Sequence, residues 1–338
     1  MTITTLSIDL AKHVFHVLGA DRRGRIMLRK MLTRKRLAQF VCNLPPCVIG
    51  MEACAGAHYW ARRFESMGHT VRLMHPRFVK PYVKTNKNDF NDAEGILEAV
   101  GRPTMRFVPV NTPEQQDMQA LHRVRRRLVK QRTALTNQIH GLLHEYGVAL
   151  ARGRASVRRA LPALLEDGSN ELTPAMRRLL AGCYEELCAL APRIETIADE
   201  IKTVFRARED CQRLSEVEGY GPLTSTALSA AVGDARTFKN GRQMAAWLGL
   251  VPKQASSGGR TVLLGISKRG DPYLRTLLIE GAMSAVRAAA TKDDARSRWI
   301  NALRARRGVK IAAVAVANKN ASIAWALLAK GRSYCAVT

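Results

Sequence analysis

The chain is poor in acidic residues: 28 Asp and Glu stand against 54 Lys and Arg in 338 residues, a formal net charge of +26. Lysine and arginine neutralise phosphate groups and release their counterions, so this excess predicts a polyanionic partner, above all nucleic acid. A hydrophobic content of 46% excludes wholesale disorder. The length suffices for two or three domains with cores of their own.

Long apolar runs are also missing, which argues against a membrane partner. No segment reaches the roughly 18 unbroken apolar residues that a membrane span needs. The most apolar segment, 308–331, is interrupted by Asn318, Lys319 and Asn320. The opening MTITTLSIDLAKHV lacks the basic and apolar pattern of a secretory signal. We therefore expect a cytoplasmic protein.

Metal-binding patterns of cysteine and histidine are absent as well. The seven cysteines contain no CxxC pair, so neither a zinc site nor a disulfide framework is expected. His140 and His144 share a helical face but lack the acid of an HExxH motif. His13 and His16 lie beside a strand-like run, where we expect them to face solvent or to pack.

The first hundred residues have the pattern of an α/β domain. Short β-branched runs predict strands, with one hairpin turn at ADRRGR, in segments 2–11, 13–31, 47–53 and 69–76. Helical spacing occupies 33–44 and 57–68. This order predicts a mixed sheet with helices packed on it.

Long helices follow, so the fold class is α/β plus all-α. Segment 112–147 opens with a Thr112 cap before Pro113 and predicts a helical or coiled-coil arm. Segment 173–207 is its expected antiparallel partner. The remainder is mostly helical, and 214–234 resembles a helix-hairpin-helix, with a plain helical hairpin equally compatible. These changes predict three domains: 1–108, 109–210 and 211–338.

Four of the scarce carboxylates stand out by position. Asp9 and Glu52 lie at strand ends, and Asp89 and Asp92 are spaced to share one helical face. Isolated charges at buried strand ends are costly, whereas a divalent cation neutralises several acids together. Mg²⁺ prefers such oxygen ligands, and two ions about 4 Å apart suit phosphoryl transfer. Helix capping by Asn88 or Asp89 is the structural alternative.

Several motifs together resemble one family. They are SIDLAK, GMEACAGAHYW, VKTNKNDFNDAEGI, GLVPKQASSGGRTVLLGISKRGDPYLRTLL and GVKIAAVAVANKNASIAWALLAKGRSY. In this order, over almost the whole chain, they resemble bacterial insertion-sequence transposases of the IS110 type and its sister group. That resemblance implies a RuvC-like, RNase H-type domain with a DEDD acid set, followed by a C-terminal serine domain.

The resemblance also implies a mechanism. The family's acids fall on Asp9, Glu52, Asp89 and Asp92, which would bind Mg²⁺ (two ions per site). A serine of the SSG segment would form a phosphoserine link with DNA. Ser257 is preferred, because the neighbouring Gly258 lets a DNA backbone approach closely. Ser256 is the alternative. An element-encoded non-coding guide RNA and a homo-oligomer, dimer or tetramer, are implied too. By itself, Ser-Ser-Gly-Gly would indicate only a flexible loop.

Candidate backbone contacts follow from local charge, with a solvated surface as their alternative: Lys84, Lys87, Arg123, Arg126, Arg127, Lys130, Arg260, Lys268 and Arg269. Two rival functions remain at this point. One is a RuvC-like junction-resolving nuclease that hydrolyses DNA without the serine. The other is a non-catalytic nucleic-acid-binding protein with a decayed nuclease fold.

Overall fold

The computed structural model describes residues 2–84 and 88–334, so Lys87 lies outside the described residues. The chain forms two compact units, Met1–Pro113 and Glu114–Thr338. The finer division into three domains stays a prediction.

A six-stranded mixed sheet forms the centre of the first unit, which confirms the predicted α/β organisation. Its order is β3-β2-β1-β4-β5-β6. Strand β1 pairs antiparallel with β2 and parallel with β4, and β4 pairs parallel with β5. The strands are β1 Thr5–Asp9, β2 Val14–Ala20, β3 Ile26–Thr33, β4 Val48–Glu52, β5 Thr70–Met74 and β6 Phe107–Val108. The two-residue β6 is a strand that sequence periodicity did not predict.

The helices of this unit are α1 Arg34–Cys42, α2 Ala57–Glu65, α3 Pro76–Val79 and α4 Asp89–Val100. Leu6, Ser7 and Ile8 of the central strand β1 are all fully buried, as expected for a strand covered on both faces. Trp60 of α2 packs edge-on against Phe15 of β2, with ring centroids 5.4 Å apart. The central strand is therefore covered on both faces up to the residue before Asp9.

The second unit is mostly helical. Its helices are α5 Pro113–His144, α6 Arg154–Glu166, α7 Pro174–Ala207, α8 Glu209–Ser215, α9 Pro222–Val232, α10 Gly241–Trp247, α11 Pro272–Ala288, α12 Ala295–Arg307 and α13 Val309–Lys330. Leucines and isoleucines of α5, α6 and α7 form one apolar cluster. The long helices of the predicted arm are present; a coiled-coil geometry stays a prediction.

Helix α13 is the one helix among the described residues that is long and apolar enough to cross a membrane by length and composition. Its small residues Ala313, Ala317 and Ala321 are fully buried within the core that also contains residues of α11. The buried Asn320 side chain accepts a hydrogen bond from Arg296 (2.6 Å) and donates one to the Glu218 carbonyl (3.0 Å). These contacts are those of a core helix, so its apolar composition is weak evidence for a membrane.

The glycine turn between α8 and α9 packs inside this unit. A Cβ on Gly219, whose φ is +96°, would lie 2.6 Å from the carbonyl oxygen of Gly281 in α11. Tyr220 is buried and Gly221 precedes α9. Gly219 therefore serves close packing, and the helix-hairpin-helix interpretation of the segment stays a prediction.

Candidate active site

Two carboxylates are delivered by neighbouring strand ends. Asp9 is the last residue of β1 and Glu52 the last residue of β4. Because β1 and β4 are parallel neighbours, both side chains emerge at the same edge of the sheet. Both are half-buried.

Helix α4 supplies the other two acids. Asn88 is its N-cap and its side-chain oxygen accepts a hydrogen bond from the Phe90 N–H (3.0 Å), so the capping role falls to Asn88. Asp89 and Asp92 lie in the first turn, where the helix dipole favours negative charge. Gly50 of β4 permits this helix to lie close to the sheet, since a Cβ there would meet Val100 at 2.9 Å.

Three of the four acids converge. Carboxylate oxygens of Asp9, Asp89 and Asp92 lie within 4.8 Å of one another. Glu52 is outside that group, but it lies close enough to interact electrostatically with Asp9 and Asp92. Its burial raises its pKa, and the charges of Asp9 and Asp92 raise it further. An all-oxygen set of this kind fits a hard divalent cation.

His16 is a neighbour of the acids whose role the sequence did not reveal. It lies opposite Asp9 in the β1–β2 register, and its Nδ1 is 3.6 Å from a carboxylate oxygen of Asp89. The His16 ring packs edge-on against Phe90, with centroids 4.6 Å apart. The Arg29 guanidinium lies over the Phe90 ring, 4.1 Å from its centroid. The missed signal is the short connection between β1 and β2, residues 10–13, which places Asp9 and His16 side by side.

The serine segment forms a β-hairpin instead of the predicted loop. Strands β7 Pro252–Gln254 and β8 Leu263–Ile266 pair antiparallel, and Ser257 forms a bridge with Arg260. Gly258 and Gly259 have φ values of +55° and +77°, as a two-residue hairpin turn requires. Ser257 and Ser256 are both exposed at the tip.

The two serines differ in their surroundings. The Ser256 hydroxyl accepts a hydrogen bond from the Gln254 amide (2.8 Å). Because Ser257 is directly opposite Arg260, their side chains lie on the same face of the hairpin. Successive strand residues point to opposite faces, so Ser256 faces away from that pair.

The base of the hairpin is fixed by close backbone contacts. The Lys268 N–H donates to the Gly249 carbonyl (3.1 Å), and the Ser267 N–H donates to the Val251 carbonyl (2.8 Å). A Cβ on Gly249, whose φ is +74°, would lie 2.0 Å from the Arg269 carbonyl oxygen. Only glycine fits there without a shift of the backbone.

The basic residues predicted to contact nucleic acid have different local partners. The Lys84 ammonium is 3.6 Å from the Glu98 carboxylate. Arg123 and Arg127 are exposed and donate to Gln119 and Gln131 on their own helix. The Arg126 guanidinium lies over the Tyr273 ring. The remaining four are exposed: Lys130, Arg260, Lys268 and Arg269.

Comparison with known proteins gives matches over both units. A transposase family model that carries the DEDD set and IS110 in its name matches residues 6–148. The model described as "Transposase IS116/IS110/IS902 family" matches residues 211–298.

Full-length relatives agree. A "Probable family 20 transposase" of Pseudomonas aeruginosa is 50% identical over 99% of both chains. The "Transposase for insertion sequence element IS1111A" of Coxiella burnetii is 48% identical over 98% of this chain and 91% of its own. The "Transposase for insertion sequence element IS1328" of Yersinia enterocolitica is 42% identical over 97% of this chain and 98% of its own. With its acids gathered at one sheet edge, this chain belongs to the IS116/IS110/IS902 family of transposases.

Proposed function

We propose that this transposase excises and inserts its element through a RuvC-like DEDD site and a phosphoserine intermediate. The observation that carries the proposal is the convergence of Asp9, Asp89 and Asp92 within 4.8 Å, beside Glu52. A DEDD domain implies a divalent metal, and we assign it as Mg²⁺, two ions per site. Bound there, Mg²⁺ would stabilise negative charge on the phosphoryl oxygens during the reaction.

The chain's own groups then account for strand transfer. The Ser257 hydroxyl oxygen forms a bond to the scissile phosphorus, and the bond from phosphorus to a DNA oxygen breaks. That oxygen leaves as a free DNA hydroxyl and takes up a proton, while the serine loses one. A DNA hydroxyl later attacks the phosphoserine and restores the serine, so each step exchanges one phosphoester for another and needs no ATP.

Ser257 is the preferred nucleophile because of its position on the hairpin. Arg260 lies on the same face and offers a guanidinium to phosphate oxygens. Gly258 and Gly259 have no side chains that would hold a DNA backbone away from the tip. Ser256 faces the other way and is engaged by Gln254, so it is the alternative.

The partners follow from charge and family. A net charge of +26 suits simultaneous binding of DNA and of a non-coding guide RNA encoded by the element. Recombination joins two duplexes, so we propose a dimer or tetramer at work in the bacterial cytoplasm on the nucleoid. Sequencing of RNA that copurifies with the chain tests the guide: it should contain segments that match the element's ends and its insertion site.

The acids are tested by DNA cleavage in Mg²⁺. Asp9→Asn and Asp92→Asn should each abolish cleavage of element-end DNA, because the remaining carboxylates hold the ion poorly. Glu94→Gln is the matched control, since Glu94 lies on the same helix but is exposed. Normal cleavage by Asp9→Asn would refute the metal assignment. Loss of nucleic-acid binding together with cleavage would mean that the variant has not folded.

Strand exchange separates this proposal from its rivals. Ser257→Ala should lose strand exchange, whereas Ser256→Ala should retain it. Full exchange by both single variants and by the double variant would favour a hydrolytic nuclease. Absence of any Mg²⁺-dependent cleavage by the unaltered chain, with binding intact, would favour the non-catalytic binding protein.

A further inference from the structure

Four arginines of the second unit form a group, and three of them have no function assigned so far. Arg125, Arg126 and Arg132 lie along α5 and are half-buried, and Arg154 is the first residue of α6. We call these four residues the arginine row. Only Arg126 was singled out by the sequence, because in a basic segment exposed and half-buried arginines look alike.

The arginine row lacks acidic partners. Among residues 2–84 and 88–334, none of its members forms a salt bridge, whereas the equally half-buried Arg208 and Arg296 pair with Asp210 and Glu218. The Nε of Arg125 is buried without a hydrogen-bond partner among those residues, as is that of Arg296, but only Arg296 has a carboxylate within 4 Å. A buried charged donor without a partner is costly, and the Arg125 side chain has the neutral Tyr273 hydroxyl as a neighbour but forms no salt bridge, which favours an anionic ligand.

Arg132 has Arg154 and Arg125 as electrostatic neighbours. Its partial burial lowers its pKa, and the positive charges of Arg154 and Arg125 lower it further. Like charges at such sites destabilise the folded chain unless an anion lies between them. The row therefore concentrates positive charge without a salt-bridge partner among the described residues.

One member of the row, Arg126, is held in place by an aromatic ring. The Arg126 guanidinium stacks over Tyr273, 5.2 Å from the ring centroid. The Tyr273 hydroxyl is 2.9 Å from His122 Nδ1, and His122 Nε2 is 3.0 Å from the Thr226 hydroxyl. These contacts join α5, α9 and α11, so the part of α5 that carries Arg125 and Arg126 is packed against two other helices.

We propose that the arginine row binds the phosphodiester backbone of the DNA strand that the serine hairpin acts on. Arg125 and Arg132 are seven residues apart, about 10 Å along the helix, which spans more than one phosphate of a strand. A guanidinium group is planar and can donate two parallel hydrogen bonds to the oxygens of one phosphate. DNA is favoured over RNA because Tyr273 lies in the first turn of α11, which directly follows the hairpin strand β8. The assignment to DNA rests on the proposed function of the hairpin.

The test compares two pairs of substitutions that remove equal charge from α5. Arg125→Gln/Arg132→Gln changes the row, and Arg123→Gln/Arg127→Gln changes exposed arginines that have glutamine partners. Binding of an element-end DNA duplex by the full chain is measured without Mg²⁺ at several salt concentrations. The row variant should lose affinity by on the order of 10-fold or more, and its salt slope should fall by about 2. The control should lose clearly less.

Each outcome is decisive. Equal weakening by both pairs would overturn the proposal, since any charge on α5 would then serve. Weaker RNA binding with unchanged DNA binding would overturn the assignment to DNA. If the row variant fails to fold, Arg125→Lys/Arg132→Lys is compared with Arg123→Lys/Arg127→Lys. Lysine keeps the positive charge but lacks the planar guanidinium group. Only Arg125→Lys/Arg132→Lys should then weaken DNA binding.

Failure here is distinguishable from failure of the proposed function. Binding without Mg²⁺ requires neither the acids nor the serine chemistry, so a chain without strand exchange can still show the predicted difference. Thermal unfolding gives an independent readout. Loss of repulsion should leave the unfolding midpoint of the ligand-free row variant unchanged or raise it, and a marked fall would argue for a purely structural role.

Discussion

At the scale of single residues, His16 has the most direct connection to the acids. It contacts Asp89 and packs against Phe90, so it limits the positions that this carboxylate can take. We expect His16→Ala to weaken divalent-ion binding and DNA cleavage by on the order of 10-fold, as loss of an outer partner of a metal ligand does. His16→Asn should restore part of the loss, and the exposed His13 provides the control variant His13→Ala. Titration calorimetry with Mn²⁺ measures the binding; unchanged affinity in His16→Ala would contradict the positioning role.

His122 makes a separate residue-scale prediction, about stability and pH. Burial lowers its pKa from 6.5 to about 4, and the charge of Arg125 contributes. The unfolded chain therefore binds this proton more readily than the folded chain does. The stability that His122 contributes through this difference in pKa is fully present above pH 6.5 and is lost as pH falls toward 4. It amounts to at most about 3 kcal/mol of unfolding free energy. The free energy of unfolding, measured with urea at pH 7 and 5, should depend less on pH in His122→Gln than in the unaltered chain. An equal pH dependence in the two would contradict the assignment.

At the scale of elements, the serine hairpin depends on Gly249 at its base. An alanine there would be strained at φ +74° and its Cβ would lie 2.0 Å from the Arg269 carbonyl oxygen. We expect Gly249→Ala to displace the hairpin, to abolish strand exchange and to lower the unfolding midpoint by a few degrees. The control is Gly265→Ala in β8, where a Cβ would have nothing within 4 Å. Equal exchange by both variants would show that the hairpin base needs no fixed position.

Elements were predictable where a local pattern decides them. The short β-branched runs 2–11 and 47–53, which carry Asp9 and Glu52, became parallel neighbours, and helix α4 starts at Asp89 behind the Asn88 cap. Short strands such as β6 were not predictable, because they exist only through pairing with a distant strand. The hairpin of Ser257 looked like a loop because its strands are only three and four residues long and are exposed, so no core-facing alternation marks them. Contacts such as those of His16 and of the arginine row arise from tertiary packing, which composition does not encode.

At the scale of the whole molecule, charge is the dominant property. A chain with a net charge of +26 should release many counterions when it binds DNA. If about six to ten phosphates are contacted, affinity for a DNA duplex should fall by roughly 10³-fold or more between 50 and 200 mM salt. Fluorescence anisotropy with labelled duplex measures this. Affinity that is independent of salt would contradict a backbone-dominated interface.

The covalent link between chain and DNA tests the central claim most directly. The full chain, with the RNA that copurifies with it, is incubated with element-end DNA and Mg²⁺, then denatured and digested, and its peptides are analysed by mass spectrometry. We predict a nucleotide adduct on Ser257 that disappears in Asp9→Asn and in Ser257→Ala. DNA cleaved by the unaltered chain with no adduct on Ser257 or Ser256 would contradict it.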